Sequence, residues 1–234
     1  MTSAAAASPL DDAAPQGSVV GKTSAAGGQV PDQAASQAAS STQLVVVDMQ
    51  NVFGQDGSDW RSPRFDEIVS PVAALVAAYS PNVVFTRFIS PVEPSGAWVA
   101  YYADWPFALQ APEHPMWDVV EPLAGLASQV DGVGPGGGTV DKPTFSKWGP
   151  ELKGLLGPRG RMVLVGVSTD CCVISTALAA ADDGVEVLVV PEACAGVDDP
   201  SHDQALHVMS LYGPLIKLTP LSEALALAGE PPAG

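Results

Sequence analysis

Gly166-Val167-Ser168-Thr169-Asp170-Cys171-Cys172-Val173 is the stretch on which the reading of this chain turns. An apolar run, Met162 to Val165, leads into it, and an alanine-rich helical pattern, roughly Val173 to Ala181, leads out. A cysteine at the mouth of such a strand-to-helix turn sits where helix N-terminal amides lower thiol pKa and can bind an oxyanion. That is the geometry a nucleophile needs. The ordinary alternative is a small buried residue packing a helix start. On the residues alone, Cys171 and Cys172 are equal candidates.

Working outward, short apolar runs alternate with helical patterns from residue 43 onward. The periodicity predicts strands at 43–48, 82–86, 138–141, 161–166, 185–190 and 214–218. Helices are predicted at 64–79, 117–127, 149–156, 171–183, 201–211 and 220–228, with Pro71 disturbing the first. Runs such as Val185-Glu186-Val187-Leu188-Val189-Val190 are nearly continuous, as expected for strands buried on both faces. Strands joined by helices imply right-handed crossovers. The expected fold is therefore α/β: a three-layer α/β/α, Rossmann-like arrangement around a mostly parallel six-stranded sheet. Residues 1–40, rich in Ala, Ser, Gln, Gly and Pro, are expected to form a disordered N-terminal extension. Residues 41–234 are expected to form a single domain.

Composition narrows the class. The 234 residues include 10 Lys+Arg and 26 Asp+Glu, a formal charge of −16 that disfavours nucleic-acid or anionic-membrane partners. Three cysteines, two of them adjacent, make no disulfide framework, so a reducing, cytoplasmic setting is expected. No apolar stretch is long enough for a transmembrane helix, and the start of the chain does not read as a signal peptide. Gly134-Pro135-Gly136-Gly137-Gly138 precedes a strand and lacks a following Lys-Ser pair, so it reads as a loop rather than a phosphate cradle.

Three segments in order carry a family resemblance: Asp48-Met49-Gln50-Asn51, Lys142-Pro143-Thr144-Phe145-Ser146, and Val167-Ser168-Thr169-Asp170-Cys171-Cys172-Val173. Together they resemble the isochorismatase-like cysteine hydrolases over residues 43–218. The resemblance implies an aspartate after the first strand, a lysine opening the second segment and a cysteine in a T-D-x-C-V motif. Those are Asp48, Lys142 and Cys172 here; the motif makes Cys171 the variable position and Cys172 the nucleophile. It further implies a cis Val167–Ser168 peptide and a homo-oligomer, a dimer or tetramer. Taken singly, Asp48 reads as a turn cap and Lys142 as a surface lysine. All three, however, lie at the carboxyl ends of predicted strands, where loops of an open α/β sheet converge.

The chemistry expected of this set is hydrolysis of a C–N bond in a small amide or carbamoyl compound. Cys172 attacks a carbonyl, Asp48 acts as base and then acid, and Lys142 holds the ionised site. Backbone N–H groups of Ser168 and Cys172 receive the oxyanion. The alternatives are isochorismatase-type vinyl-ether cleavage, a non-catalytic binding relative of the family, and redox sensing through Cys171-Cys172. Cys194 reads as structural.

Residues 87–118 break the periodic pattern and concentrate aromatics, which suit a substrate pocket, a lid or a subunit interface. Phe53, Arg87, Trp98 and Trp105 are the candidate substrate contacts, Arg87 with a structural ion pair as its ordinary alternative. No metal and no cofactor is expected. Metal-dependent nicotinamidases of this family carry a D-x-H pair after the second strand, whereas Thr86-Arg87-Phe88-Ile89-Ser90 has neither residue. His114, His202 and His207 form no ligand pair near that position.

Overall fold

The apolar runs become six parallel strands: β1 (Gln43–Val47), β2 (Val83–Phe88), β3 (Gly138–Lys142), β4 (Arg161–Val167), β5 (Glu186–Ala195) and β6 (Ile216–Leu218). They are seen in a computed structural model that describes residues 42–130, 137–156 and 160–228. The expected extension at 1–40 and the glycines before 137 lie outside the described residues. The sheet order is β3-β2-β1-β4-β5-β6. The chain thus builds outward from β1 through β2 to β3, then returns to β1's other side with β4.

Alternation along β1 divides the core in two. Leu44 and Val46 pack on one face with Phe65, Ile68 and Leu75; Val45 and Val47 pack on the other with Leu152, Val173 and Ala177. The first face is covered by α2 (Phe65–Tyr79), α4 (Leu123–Val130) and α8 (Leu221–Ala226). The second is covered by α5 (Pro150–Leu156), α6 (Ile174–Asp182) and α7 (Asp199–Ser210). Two short helices, α1 (Asn51–Gly54) and α3 (Trp98–Asp104), stand at the carboxyl end of the sheet's first half. No helix among the described residues is long and apolar enough to cross a membrane.

Three departures from the periodicity have physical causes. Helix α2 runs straight through Pro71. Its six buried side chains, each contributing about 1.5–3 kcal/mol, outweigh the ~3 kcal/mol that an interior proline costs. The helix expected at 117–127 is a 3₁₀ turn, Pro115–Trp117, followed by α4, because Pro122 disfavours a helical Glu121. Strand β5 continues past 190 to Ala195, through a register shift opposite Leu164 and Gly166 that accommodates Pro191.

Gly166 has a particular duty. It sits at φ +112 in β4, paired with Val47, and a Cβ there would run into the Val47 carbonyl. Only glycine lets β1 and β4 close up where both strands leave the sheet.

Candidate active site

The order of strands reverses between β1 and β4, and a crevice opens outside the carboxyl ends at such a switch point. Asp48 leaves β1 there and the Ser168–Val173 turn leaves β4. Asp48 is fully buried, with φ +50, a left-handed conformation that a short polar side chain tolerates. Its Oδ1 accepts a hydrogen bond from Thr86 Oγ1 at 2.7 Å. Its Oδ2 lies 2.9 Å from Lys147 Nζ, an ion-pair contact without hydrogen-bond direction, which leaves Oδ2 an unsatisfied buried acceptor.

Lys147 is the lysine that reaches the aspartate; Lys142 is not. Lys142 ends β3, a quarter or less exposed, and its Nζ lies 3.9 Å from Glu151 on α5. The chain turns after β3, and Lys147, with no exposed side-chain surface, comes back beneath the sheet's edge. Its ammonium donates to the Thr144 carbonyl at 2.8 Å and sits 4.8 Å from the Phe88 ring centroid. An isolated buried charge is very costly, so this pairing with Asp48 is what permits either group to be there. The spacing gave no signal for this: both lysines fall in one non-periodic segment, and only the fold's return separates them.

Cys172 is buried beside this pair at the end of a π-helical turn, Thr169–Val173, that continues into α6. The Val167–Ser168 peptide is cis, in agreement with the resemblance. The Ser168 carbonyl accepts from the amides of Cys171 and Val173 at 3.1 and 3.0 Å. The thiol of Cys172 is pushed well above its ordinary pKa, first by burial and then by the Asp48 carboxylate, with the Lys147 charge opposing. Lowering by the helix N-terminus, expected from the sequence, is thus outweighed, and the resting group is a thiol. Cys171 is pushed up to about 11 by burial and by Asp170, to which its Sγ donates at 3.6 Å. Cys194, buried in β5, is pushed up to about 12 by burial.

Two polar residues that the sequence reading passed over hold this floor together. Thr176 Oγ1 accepts from the Lys147 amide at 2.8 Å and donates to the Cys172 carbonyl at 2.7 Å, joining the lysine segment to the cysteine helix. Gln50 Nε2 donates to the Phe88 and Trp117 carbonyls at 3.1 and 2.7 Å, and its Oε1 accepts from the Phe88 amide at 2.7 Å. It sews the ends of β1 and β2 to the segment before α4. Behind the turn, Thr169 Oγ1 lies 2.8 Å from His202 Nδ1.

Above Cys172 opens a cavity of about 290 Å³. Phe53 and Trp105, two of the candidate substrate contacts, line it with Phe88 and Tyr101 of the aromatic 87–118 segment, and with Trp60 and Phe145, which the sequence did not single out as pocket residues. Trp98 does not line it; this ring packs behind the wall, 5.2 Å from Tyr101 and 5.2 Å from Phe145 by centroids. Arg87 is also elsewhere: it makes a two-pronged ion pair with Asp141, at 2.8 and 2.6 Å, beside a separate depression. The 87–118 segment is therefore not wholly irregular. Its helix α3 supplies cavity wall, while Trp117 is fully buried in the core.

Among the described residues, no group of three or more His, Cys, Asp or Glu could hold a metal ion. His114 caps a 3₁₀ turn, accepting from the Met116 amide, and no histidine lines the cavity.

Comparison with known proteins agrees with this architecture. Among curated proteins, none matches the chain. A cysteine hydrolase from Pseudomonas syringae pv. phaseolicola 1448A superposes with TM-score 0.66 at 20% identity, covering 80% of this chain and 92% of that one. An isochorismatase-like hydrolase from Alkaliphilus metalliredigens gives 0.60 at 18%, covering 80% and 98%. The nicotinamidase/pyrazinamidase of Bacillus subtilis gives 0.62 at 17%, covering 75% and 96%. At these identities the likeness is one of fold. Residues 42–219 match the isochorismatase domain, and the chain with its six-stranded parallel sheet belongs to the isochorismatase-like hydrolase family.

Proposed function

We propose that the protein is a metal-independent cysteine hydrolase that cleaves a C–N bond of a small amide or carbamoyl compound. One observation carries the reading: a buried thiol, a buried carboxylate and a buried ammonium meet beneath a cavity of small-molecule size. A non-catalytic module has no use for so costly a grouping.

Cys172 Sγ attacks the carbonyl carbon as its proton passes to Asp48. The carbonyl electrons move onto oxygen, which the Ser168 and Cys172 backbone N–H groups receive. Collapse expels the amine with the proton from Asp48 and leaves a thioester. Water then attacks the thioester, gives its proton to Asp48, and the acid departs as the thiol is re-formed. Lys147 takes the role expected of Lys142: its ammonium pairs with the Asp48 carboxylate and offsets part of the cost of making a buried thiolate.

The test is ammonia or amine release from a panel of small amides, ureas and carbamoyl compounds, with and without chelator. Wild type, Cys172→Ala and Lys147→Met would be compared, each checked for folding by circular dichroism. Chelator-resistant release that disappears in both variants is the expected result. Turnover surviving in folded Cys172→Ala would overturn the thioester route and favour vinyl-ether cleavage, which needs an acid and no thiol.

A further inference from the structure

Six aromatic side chains line the cavity above Cys172: Phe53, Trp60, Phe88, Tyr101, Trp105 and Phe145. The charged groups lining it are Asp59 and Asp170, and among the described residues no Lys, Arg or His joins them. Asp59 has no ion-pair or hydrogen-bond partner among the described residues. Asp170 accepts from the Val197 amide at 2.9 Å and from the Cys171 thiol, but no cation neutralises it. The nearby positive charges are committed. Arg61, next to Trp60, contacts Asp56 and Asp66 at 3.1 and 3.0 Å, Arg87 holds Asp141, and Lys147 is buried against Asp48.

A cavity walled by π-faces, with two uncompensated carboxylates and no cation, discriminates by charge. An anionic substrate would meet repulsion and find no partner. A neutral one would fill the space but leave both carboxylates as they are. A cation would gain the ring quadrupoles and the carboxylates together. The formal charge of −16 favours cations at long range as well.

We propose that the substrate carries a positive charge, an ammonium or quaternary ammonium group. It is seated among Trp60, Tyr101 and Trp105 with its charge toward Asp59, while its amide carbonyl reaches Cys172. The proposal rests on the hydrolase reading for its chemistry, but its binding test does not.

In that test the full-length protein is titrated with tetramethylammonium, tert-butyl alcohol and pivalate, three probes of one shape and different charge, followed by tryptophan fluorescence and calorimetry. Saturable binding of tetramethylammonium alone is expected, weakened about tenfold or more by Asp59→Asn, a change at an exposed position that should leave folding intact. Equal or tighter binding of either other probe, or no binding of tetramethylammonium, overturns the proposal. A second arm compares kcat/KM for trimethylammonioacetamide, 3,3-dimethylbutanamide and malonamate. The cationic amide should lead its neutral isostere by about tenfold or more, and Asp59→Asn should narrow that ratio. Cation binding without turnover of any amide would overturn the hydrolase reading and leave the cation site standing. Turnover indifferent to charge would do the reverse.

Discussion

The floor of the site and its walls are built on opposite principles. The floor consists of Asp48, Thr86, Lys147, Cys172 and Thr176, all buried: Asp48 and Thr86 at the ends of β1 and β2, Lys147 on the segment after β3, and Cys172 and Thr176 in the π-helical turn and the first turn of α6. The walls are aromatic rings, most of them drawn from three connections: Phe53 and Trp60 around α1, Tyr101 and Trp105 around α3, and Phe145 after β3, with Phe88 added at the end of β2. The floor owes its geometry to hydrogen bonds of 2.7 to 2.8 Å and to the 2.9 Å ion pair of Asp48 with Lys147. The walls hold one another through ring contacts whose centroids lie 5.2 to 6.4 Å apart. A displaced ring keeps most of its burial energy, whereas a displaced charge loses its partner. The floor should therefore tolerate almost no change, and the walls should tolerate changes that retune what is bound.

The largest expected effect breaks the floor. Lys147→Met should lower kcat/KM by at least about a thousandfold and destabilise the fold by about 3–5 kcal/mol, because it leaves Asp48 charged and buried without its cation. Urea unfolding and turnover measure the two parts. Lys142→Met, at a partly exposed site with a long 3.9 Å contact, should change either quantity little. If Lys142→Met is the more damaging, Lys147 has been given the wrong role.

Next comes the tie between floor segments. Thr176→Val removes the hydroxyl that joins the Lys147 amide to the Cys172 carbonyl and should cost about 1–3 kcal/mol, with kcat falling more than KM rises. Thr176→Ser should restore most of both, and failure of that rescue would point to packing of the methyl group instead.

A wall substitution sharpens the contrast. Trp60→Ala should raise KM about tenfold while kcat moves less than about threefold, since Trp60 is held by contacts with five other aromatic rings. A collapse of kcat at saturating substrate would show that walls and floor are not separable in this way.

The smallest effect concerns pH. Cys194 and Cys172 hold their protons in the folded state to pH values above those of an unfolded thiol, near 8.5. Both therefore contribute stability that is complete below about pH 8.5 and is lost as pH rises toward the folded pKa, about 12 for Cys194. Each thiol adds about 1.4 kcal/mol per pH unit to the alkaline decline. Cys194→Ala should make the decline between pH 9 and 10.5 shallower by about that slope, read by denaturant titration at several pH values. An unchanged slope would mean that Cys194 titrates normally.

These contrasts also explain what the sequence made legible. Strands β1 and β4 are apolar runs, and Asp48 and the Cys171-Cys172 pair follow from where the runs stop, while the choice of Cys172 within the pair came from the T-D-x-C-V resemblance. Lys147 does not follow, because it hangs from a segment whose course is set by Thr176 and Asp48, residues 29 and 99 positions away in the chain. That segment carries no period from which an inward lysine can be told from an outward one. Trp98 and Trp105 looked equivalent as aromatics in a proline-rich stretch, yet helix α3 turns one toward the cavity and one behind it. Phe88 belongs to the aromatic 87–118 segment expected to suit a pocket, and it lines the cavity from a strand that runs two residues further than the expected end at 86.

The segment from Thr144 to Trp148 joins the two regions within three residues. Phe145 lines the cavity, and Lys147 reaches the buried carboxylate through a backbone held at Thr176. A lineage acquiring a new substrate can alter Phe53, Trp60 or Trp105 without disturbing the reacting groups. At Phe145 the same experiment displaces the ammonium two residues along. Divergence of substrate range in proteins built on this plan should accordingly accumulate on the α1 and α3 side of the cavity and stall on the other.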